Sequence, residues 1–323
     1  MAEPAATTLP SITSAREPEP DKLAVPISFE ARYGAGLKRG LSLGGGGVFF
    51  VAWQVAYLHE LADRGVDLAN ADRVVGTSAG SVVASVLEAG HVGRMHREMG
   101  LLAKAPKLLS ALAPADGLKP SQERALNLFA AAADAEPDTI RAIGHAALAA
   151  ETPSPSVMAR NIGVVVRLRK WPSAALHITC VDTYTGERCV VTSEADVSVP
   201  RAVAASSAVP GLFAPQPIGN RRCMDGGVSG SGTHLDLLAG TRSVVVLALT
   251  DGAGITQGMM TSAPGSTEAE IEALTASGSS LLLRTPEAVD VTTLMDPAAV
   301  PQALEMGRRQ AAADAAELRE FLS

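Results

Sequence analysis

The sequence predicts a three-layer α/β/α fold with a mainly parallel central sheet. Short apolar segments alternate along the chain with longer segments of helical character, which is typical of a parallel sheet covered by helices. The segment from Ser243 to Thr250 is apolar almost throughout, as expected for a strand that is buried on both faces. Hydrophobic residues make up 47% of the 323 residues and charged residues 19%, so the chain can bury a core of the size such a fold needs.

Two strand–turn–helix units are predicted at the start of the fold. Leu41 to Leu43 is predicted to be a short buried strand, ended by four glycines, with a helix over Val48 to Arg64 behind them. Arg73 to Val75 is predicted to be the second strand, and the second helix covers Ala79 to Ala89. Glycine therefore occurs in both turns, where a chain can reverse sharply or approach a neighbouring group closely.

The remaining sheet elements are predicted in the second half of the chain. In chain order they are strands over Ala175–Asp182 and Arg188–Thr192 that form a hairpin, a helix over Val197–Ser206, a strand over Arg222–Met224, the strand from Ser243, a helix over Thr267–Ala276, a strand over Leu281–Leu283 and a terminal helix over Pro301–Leu322. Residues 251–267, rich in Gly, Ser, Thr and Met, are predicted to be a mobile loop.

Residues 1–25 are predicted to be a disordered tail, and residues 26–323 one domain. The tail is rich in Pro, Glu, Ser and Thr and lacks the basic start and apolar run of a secretory signal. Within the domain, residues 91–160 are rich in Ala, Leu and Met and are broken by prolines, which indicates several short helices inserted between sheet elements. Such an insertion could form a lid beside an active site, or a helical layer that only packs on the sheet.

Composition argues against several classes of function. The net charge is −7 and Lys and Arg form no block, which disfavours nucleic-acid binding and strong electrostatic docking to anionic lipid. No segment has the roughly 18 uninterrupted apolar residues of a spanning helix. The three cysteines, Cys180, Cys189 and Cys223, have no zinc-ligand spacing, and their low, odd number predicts reduced thiols in a cytoplasmic protein.

A candidate nucleophile lies between the second strand and the second helix. Residues 76–80, Gly-Thr-Ser-Ala-Gly, match the pattern G-x-S-x-G. Gly76 and Gly80 permit a sharp turn that holds the Ser78 hydroxyl above the sheet edge, at a helix N-terminus where free N–H groups favour developing negative charge. Such turns also occur without catalysis, but here an apolar strand precedes the motif and a helix follows it. The context therefore favours an active serine.

Two further motifs suit the same chemistry. The run Gly44 to Gly47 offers closely approachable backbone N–H groups to an oxyanion. A nucleotide-binding loop is the alternative, but neither the G-x-G-x-x-G spacing nor the Lys of a Walker loop follows. Asp225 stands at a strand end before Gly226 and Gly227, which leave it free to reach a neighbouring loop. An ordinary Asp-Gly turn is the alternative there.

In this order, the three motifs resemble those of the patatin-like phospholipases, the bacterial branch in particular. The resemblance covers nearly the whole folded chain, from Leu41 to about Gln310. The matching segments are the glycine run 44–47, the G-x-S-x-G of 76–80, the hairpin residues 181–186, the block Ala204–Pro210, which is similar to Ala-Ser-x-Ala-x-Pro, and the D-G-G of 225–227.

The resemblance implies a serine lipid acyl hydrolase with a Ser–Asp dyad and no metal or cofactor. Ser78 would attack the ester carbonyl, and Asp225 would take its proton and later activate water. The N–H groups of Gly45, Gly46 and Gly47 would bind the oxyanion. The substrate would be a lipid or another acyl ester, met in transient contact with a membrane surface, and residues 91–160 could form part of an acyl-chain groove. An acyltransferase is a close variant.

Two departures leave alternatives open. Phe49 and Phe50 stand where the family usually has Lys, Arg or Thr and then Gly, so they could crowd the oxyanion loop or line the acyl pocket. The first outcome would favour a non-catalytic protein of this family that binds lipid or a partner. His234 follows Asp225 by nine residues, so Ser78, Asp225 and His234 also occur in the chain order of an α/β-hydrolase triad. A Ser-His-Asp esterase is therefore the mechanistic alternative.

Overall fold

A mixed sheet lies at the centre of the protein. The structure is a computed structural model and describes residues 22–104, 117–249 and 266–323. Within these residues the strands are β1 (Arg39–Leu43), β2 (Arg73–Gly76), β3 (Leu176–Asp182), β4 (Arg188–Val191), β5 (Gln216–Ile218), β6 (Arg221–Asp225), β7 (Ser243–Leu247) and β8 (Ser280–Arg284).

Helices cover both faces of the sheet. They are α1 (Gly47–Asp63), α2 (Ala79–Glu88), α3 (Val92–Ala103), α4 (Pro120–Ala130), α5 (Pro137–Ala149), α6 (Pro155–Val166), α7 (Val199–Ser206), α8 (Ser266–Ala276) and α9 (Val300–Leu322). Short 3₁₀ helices cover Gly226–Ser229, Leu235–Leu238, Val291–Met295 and Pro297–Ala299. Of the helices in the described residues, none is both long enough and apolar enough to cross a bilayer.

The parallel part of the sheet has the order β3-β2-β1-β7-β8, and β4, β5 and β6 add antiparallel pairs. The predicted α/β/α class with a mainly parallel sheet is therefore confirmed. Parallel neighbours run in the same direction, so the turns after β1 and β2 lie side by side at one edge of the sheet. This edge carries both the glycine run and the G-x-S-x-G motif.

Alternate residues of a strand pack into two separate hydrophobic cores, one on each face of the sheet. In β7, Val245 and Leu247 belong to the large core under α1, α2, α7 and α9, whereas Val244 and Val246 belong to the core on the opposite face. Burial on both faces is why these strands are apolar without alternation. The sequence of β7 predicts this directly.

Helix α9 closes the large core by packing along α1. Trp53 stacks on Phe50 and on Tyr57, with ring centroids 5.3 and 4.9 Å apart. The Trp53 indole donates a hydrogen bond to Gln310 Oε1 at 2.6 Å, and the Tyr57 hydroxyl donates to Asp314 Oδ2 at 2.6 Å. The polar atoms of two large buried rings are thereby satisfied by the terminal helix.

Predicted and observed elements differ mainly at their ends. The strand predicted from Ser243 to Thr250 ends at Leu247, and Thr250 lies outside the described residues. Strand β5 is not predicted by the sequence analysis. Residues 1–21 of the predicted tail and 251–265 of the predicted mobile loop lie outside the described residues, and residues 266 and 267 begin α8. Within 91–160, the described residues form α3, α4, α5 and the first half of α6.

Strands β2 and β6 meet end to end along one side of β3. Ile178 pairs with Val191 of β4 on one side and with Gly76 of β2 on the other. Cys180 likewise has β4 on one side and Asp225, the last residue of β6, on the other. The last residues of β2 and β6 are thus separated along β3 by Thr179 alone. This junction brings the residues after β2 next to the end of β6.

Candidate active site

The turn that carries Ser78 is strained and tightly packed. Ser78 has φ +50° and ψ −119°, an unfavourable conformation for a residue with a side chain. A methyl group on Gly80 would overlap the Leu43 carbonyl oxygen, and one on Gly76 would lie 2.7 Å from the Ser81 Cα. Glycine is therefore required at both positions, as the pattern G-x-S-x-G predicts. The turn presses directly against the end of β1.

Backbone hydrogen bonds hold the strained serine from both sides. The Ser78 N–H donates to Ser206 Oγ at 2.9 Å. The Ser78 carbonyl oxygen accepts the Ser81 hydroxyl at 2.6 Å and the Ser81 N–H at 2.9 Å. Ser78 itself is 5% exposed, at the first turn of α2. Its main chain is fixed, while its hydroxyl donates no hydrogen bond of standard geometry within the described residues.

Asp225 lies at the junction between β2 and β6. Its N–H donates to the Ala208 carbonyl oxygen at 3.0 Å, and its Oδ1 accepts the Gly227 N–H at 2.9 Å. A methyl group on Gly226 would lie 2.6 Å from Thr179 Oγ1, so the D-G-G turn packs on the residue that separates the two strands. The Thr179 hydroxyl in turn shares a 2.8 Å hydrogen bond with the Thr77 hydroxyl, next to Ser78.

The electrostatics of Asp225 differ from those of a surface carboxylate. Burial raises the pKa of Asp225 to about 7, and the Gly227 N–H together with the nearby Ser78 hydroxyl opposes the rise. Asp225 Oδ2 has no partner of standard hydrogen-bond geometry among the described residues. The Ser78 hydroxyl is therefore near enough to stabilise the carboxylate, in a contact that is longer or less aligned than an ordinary hydrogen bond. Such contacts are common in active sites without substrate.

The glycine run forms a loop beside this pair. Gly44 is tied to β7 by its N–H, which donates to the Leu247 carbonyl oxygen at 2.9 Å, and to α1 by its carbonyl oxygen, which accepts Gln54 Nε2 at 3.0 Å. Gly46 and Gly47 have φ of +156° and +65°, which side chains disfavour. Within the described part of the chain, the N–H groups of Gly45, Gly46 and Gly47 donate no hydrogen bond. They are available to an anion at the N-terminus of α1.

Phe49 and Phe50 both point into the large core and are fully buried. Phe50 stacks on Trp53, and a methyl group on Gly46 would lie 2.6 Å from the Phe50 Cβ. Phe50 therefore packs against the glycine loop from the core side. A role of these two residues in lining an acyl pocket remains a prediction.

His234 is surrounded by groups other than the Ser78 hydroxyl. It is fully buried, and its Nδ1 is 3.3 Å from Arg188 Nη1, so this nitrogen accepts and the neutral ring carries its proton on Nε2. The other ring nitrogen, Nε2, has no hydrogen-bond partner of standard geometry among the described residues. Burial and the Arg188 charge hold the pKa of His234 well below its usual range. In the described residues, no hydrogen bond joins His234 to Ser78 or Asp225.

The block Ala204–Pro210 connects both sides of the pair. Ser206 accepts the Ser78 N–H, and Ala208 accepts the Asp225 N–H, as given above. The block is identifiable from the sequence but these contacts are not, because a hydrogen bond between residues 128 apart, as for Ser78 and Ser206, or between residues in different elements, as for Asp225 and Ala208, leaves no local pattern. The same applies to the hydroxyl pair of Thr77 and Thr179.

The inserted helices reach the same edge of the sheet. Gln122 Nε2, in α4, donates to the Gly211 carbonyl oxygen at 2.9 Å. A methyl group on Gly230 would overlap Ala135, in the connection from α4 to α5. Residues 120–136 thus pack on the loops that follow α7 and the D-G-G turn.

A three-layer α/β protein with a serine on a strained strand–turn–helix elbow is the class that this fold and site define. The family model for patatin-like phospholipases matches residues 41–238, more than half of the chain, and the chain therefore belongs to the patatin-like phospholipase family. This membership supports lipid hydrolysis as the class of activity.

Solved structures that are distantly similar to this chain include VipD and ExoU. VipD from Legionella pneumophila is 13% identical with a TM-score of 0.41, over 91% of this chain and 68% of VipD. The type III effector protein ExoU is 17% identical with a TM-score of 0.31, over 84% of this chain and 53% of ExoU. The chain thus spans about half the length of the second protein. No curated protein matches the sequence.

Proposed function

We propose that the protein is a serine lipid acyl hydrolase, of phospholipase A, lysophospholipase or esterase type, in which Ser78 is the nucleophile and Asp225 the base. The observation that carries this proposal is the junction along β3, where the ends of β2 and β6 are one residue apart. Membership of the patatin-like phospholipase family supports a lipid ester as the substrate class.

The proposed mechanism uses a carboxylate of unusually high basicity. With a pKa of about 7, Asp225 is a stronger base than an ordinary aspartate and is still substantially ionised near neutral pH. It accepts the Ser78 hydroxyl proton as the oxygen attacks the ester carbonyl carbon. The N–H groups of Gly45 to Gly47 stabilise the negative oxygen of the tetrahedral intermediate, and loss of one such donor typically costs about 10²–10³ in rate.

Collapse of this intermediate transfers the proton from Asp225 to the leaving alcohol and leaves the acyl group on Ser78. Water then gives a proton to Asp225 and attacks the acyl-enzyme, and the second intermediate releases the carboxylic acid while Ser78 recovers its proton. The strained elbow holds the oxygen in place through both steps.

The surroundings support the finer parts of the proposal. Residues 120–136 lie on the site loops and suit a cover that excludes water during the reaction. The three cysteines are free and buried, which agrees with a reducing compartment such as the cytoplasm. We also propose that the protein makes transient contact with a lipid surface, because lipid esters are found there.

The Ser-His-Asp alternative has less support. A catalytic histidine needs to bond the serine hydroxyl and to become positively charged during the reaction. His234 instead faces a permanent positive charge at Arg188, which opposes its protonation. This environment favours a structural histidine.

Turnover of p-nitrophenyl esters and labelling by a fluorophosphonate test the proposal. We expect wild type to be active and labelled on Ser78 by peptide mapping. Ser78→Ala and Asp225→Asn should each lose about 10⁴-fold or more in kcat while they keep a native circular dichroism spectrum. Ser207→Ala is the matched control, because the Ser207 hydroxyl, one residue after Ser206, has no hydrogen-bond partner within the described residues.

Other results would favour the alternatives. Wild type without turnover or labelling over a range of acyl lengths would favour a non-catalytic protein that binds lipid or a partner. Loss of about 10⁴-fold in both His234→Ala and His234→Gln, with folding intact, would favour the triad.

A further inference from the structure

We propose that Met295, together with Leu249, forms an apolar wall at the oxyanion loop that contacts the acyl chain and sets the preferred chain length. This inference rests on the proposed function. It assigns a specificity role to a segment that is distant along the chain from all three sequence motifs. It concerns residues 290–299, called the Met295 segment below.

The Met295 segment touches the oxyanion loop without a gap. A methyl group on Gly47 would overlap the Leu294 carbonyl oxygen and lie 2.7 Å from Met295 Sδ. Gly47 also has a positive φ, so only glycine fits here both sterically and conformationally. The Met295 side chain is therefore a direct neighbour of a proposed oxyanion donor.

The segment is held firmly, so Met295 is presented in a defined place. Asp290 Oδ1 accepts the Thr292 N–H at 2.8 Å at the start of one 3₁₀ helix, and Asp296 Oδ1 accepts the Ala298 N–H at 2.8 Å at the start of the next. Between them Leu294 is buried in the large core. Met295, its neighbour, remains 40% exposed. An exposed methionine on an anchored turn is available to a ligand.

A second apolar side chain flanks the same loop. A methyl group on Gly46 would lie 2.6 Å from Leu249 Cδ1. Two of the three proposed donor glycines thus each have an apolar side chain against them, and neither of these side chains can bind a polar head group. When the substrate oxygen binds the loop, a group attached to the carbonyl carbon must pass these side chains.

The chemistry of the wall favours the acyl chain over the alcohol portion. A thioether is flexible and polarisable and adapts to an alkyl chain of varied shape. Each buried methylene contributes about 0.8 kcal/mol, so contact with one or two methylenes changes kcat/KM by about 4- to 15-fold. Met295 should therefore act on chain-length selectivity and leave the bond-breaking steps unaffected.

The test compares acyl lengths at a constant leaving group. With p-nitrophenyl acetate, butyrate, octanoate and laurate, Met295→Ala should lower the laurate-to-acetate ratio of kcat/KM by about tenfold, with most of the loss in the laurate value. Met295→Leu should keep the ratio of wild type. Leu101→Ala, at an exposed position on α3, is the control for loss of a surface apolar side chain.

The outcomes separate this inference from the function it rests on. An active Met295→Ala enzyme with an unchanged ratio would overturn the wall alone. Altered selectivity among butyrate esters of different alcohols, with unchanged acyl selectivity, would assign Met295 to the leaving group and would also overturn it. Wild type without turnover on any ester would overturn both proposals.

Discussion

At the scale of single residues, Asp225 combines two properties that usually exclude each other: it is fully buried, and its environment still leaves it ionisable near neutral pH. Among the described residues, the Gly227 N–H and Ser78 stabilise its charge, and burial outweighs them. A carboxylate in such a site is costly for folding and useful for proton transfer.

The pH dependence of activity should follow from this residue. The base form of Asp225 is the deprotonated form, and the pKa is about 7, so kcat/KM should fall tenfold per pH unit below about pH 7. Rates with p-nitrophenyl butyrate between pH 5 and 9, analysed as kcat/KM, check the midpoint. A midpoint near pH 4, the ordinary range of an aspartate, would contradict the described environment.

The same shift predicts that Asp225→Asn stabilises the protein at alkaline pH. The folded-state pKa of about 7 exceeds the ordinary value of 3.8, so this group favours folding below pH 3.8 and loses that contribution as pH rises through 7. The loss is on the order of 4 kcal/mol at most. Urea unfolding at pH 8.5 should show a higher free energy of unfolding for Asp225→Asn than for wild type, with a smaller difference at pH 5.

Asp72→Asn serves as the control of opposite sign. Hydrogen bonds from the Arg39 and Lys38 N–H groups lower the pKa of Asp72, so its charged form favours the folded state. Its replacement should therefore destabilise the protein at pH 8.5. If Asp225→Asn behaved in the same direction as Asp72→Asn, the assignment of a desolvated carboxylate at position 225 would be wrong.

At the scale of elements, α7 acts as a support for the elbow after β2. Its last residue, Ser206, accepts the N–H of the strained Ser78, and the chain just beyond it accepts the N–H of Asp225. One short helix thus fixes the relative position of two strands' ends. The positions of Ser78 and Asp225 therefore depend on a helix that carries none of the reacting atoms.

Ser206→Ala should test this support. Loss of the acceptor leaves the buried Ser78 N–H unpaired, at a cost of about 1–3 kcal/mol in the free energy of unfolding. We expect kcat to fall more than KM rises, because the shifted elbow misplaces the Ser78 hydroxyl in the substrate complex as well as in the free enzyme. Ser206→Thr, which keeps the hydroxyl, should recover part of kcat. Ser207→Ala, one residue on, should match wild type in both denaturation and kinetics.

The sequence predicts the secondary-structure elements better than it predicts the contacts between them. The strands β1, β2 and β7 and the helices that follow the two glycine turns are predictable, because burial on both faces and glycine at sharp turns are local properties. The end-to-end meeting of β2 and β6 is not, because Gly76 and Asp225 are related only through their separate pairing with β3. The position of Met295 beside Gly47 is equally non-local.

At the scale of the whole molecule, a buried ion pair joins distant parts of the chain behind the site. Arg188, in β4, donates two hydrogen bonds to the Asp236 carboxylate at 2.6 and 2.7 Å, and both side chains are almost fully buried. The guanidinium also donates to the carbonyl oxygens of Val25 and Pro26. It also contacts His234 Nδ1 at 3.3 Å. The first described residues are thereby connected to β4 and to residues 234–236.

Breaking this pair should be far more damaging than breaking a surface pair. Asp236→Leu leaves the Arg188 charge buried without its partner, which typically costs 3–5 kcal/mol, whereas Arg188→Met with Asp236→Leu removes both charges and should recover much of that loss. Glu305→Gln removes the partner of Arg308 at an exposed pair and should leave the urea midpoint unchanged. A double variant as unstable as Asp236→Leu alone would mean that the carbonyl contacts of Arg188 to the N-terminal segment, rather than the ion pair, hold this side of the molecule together.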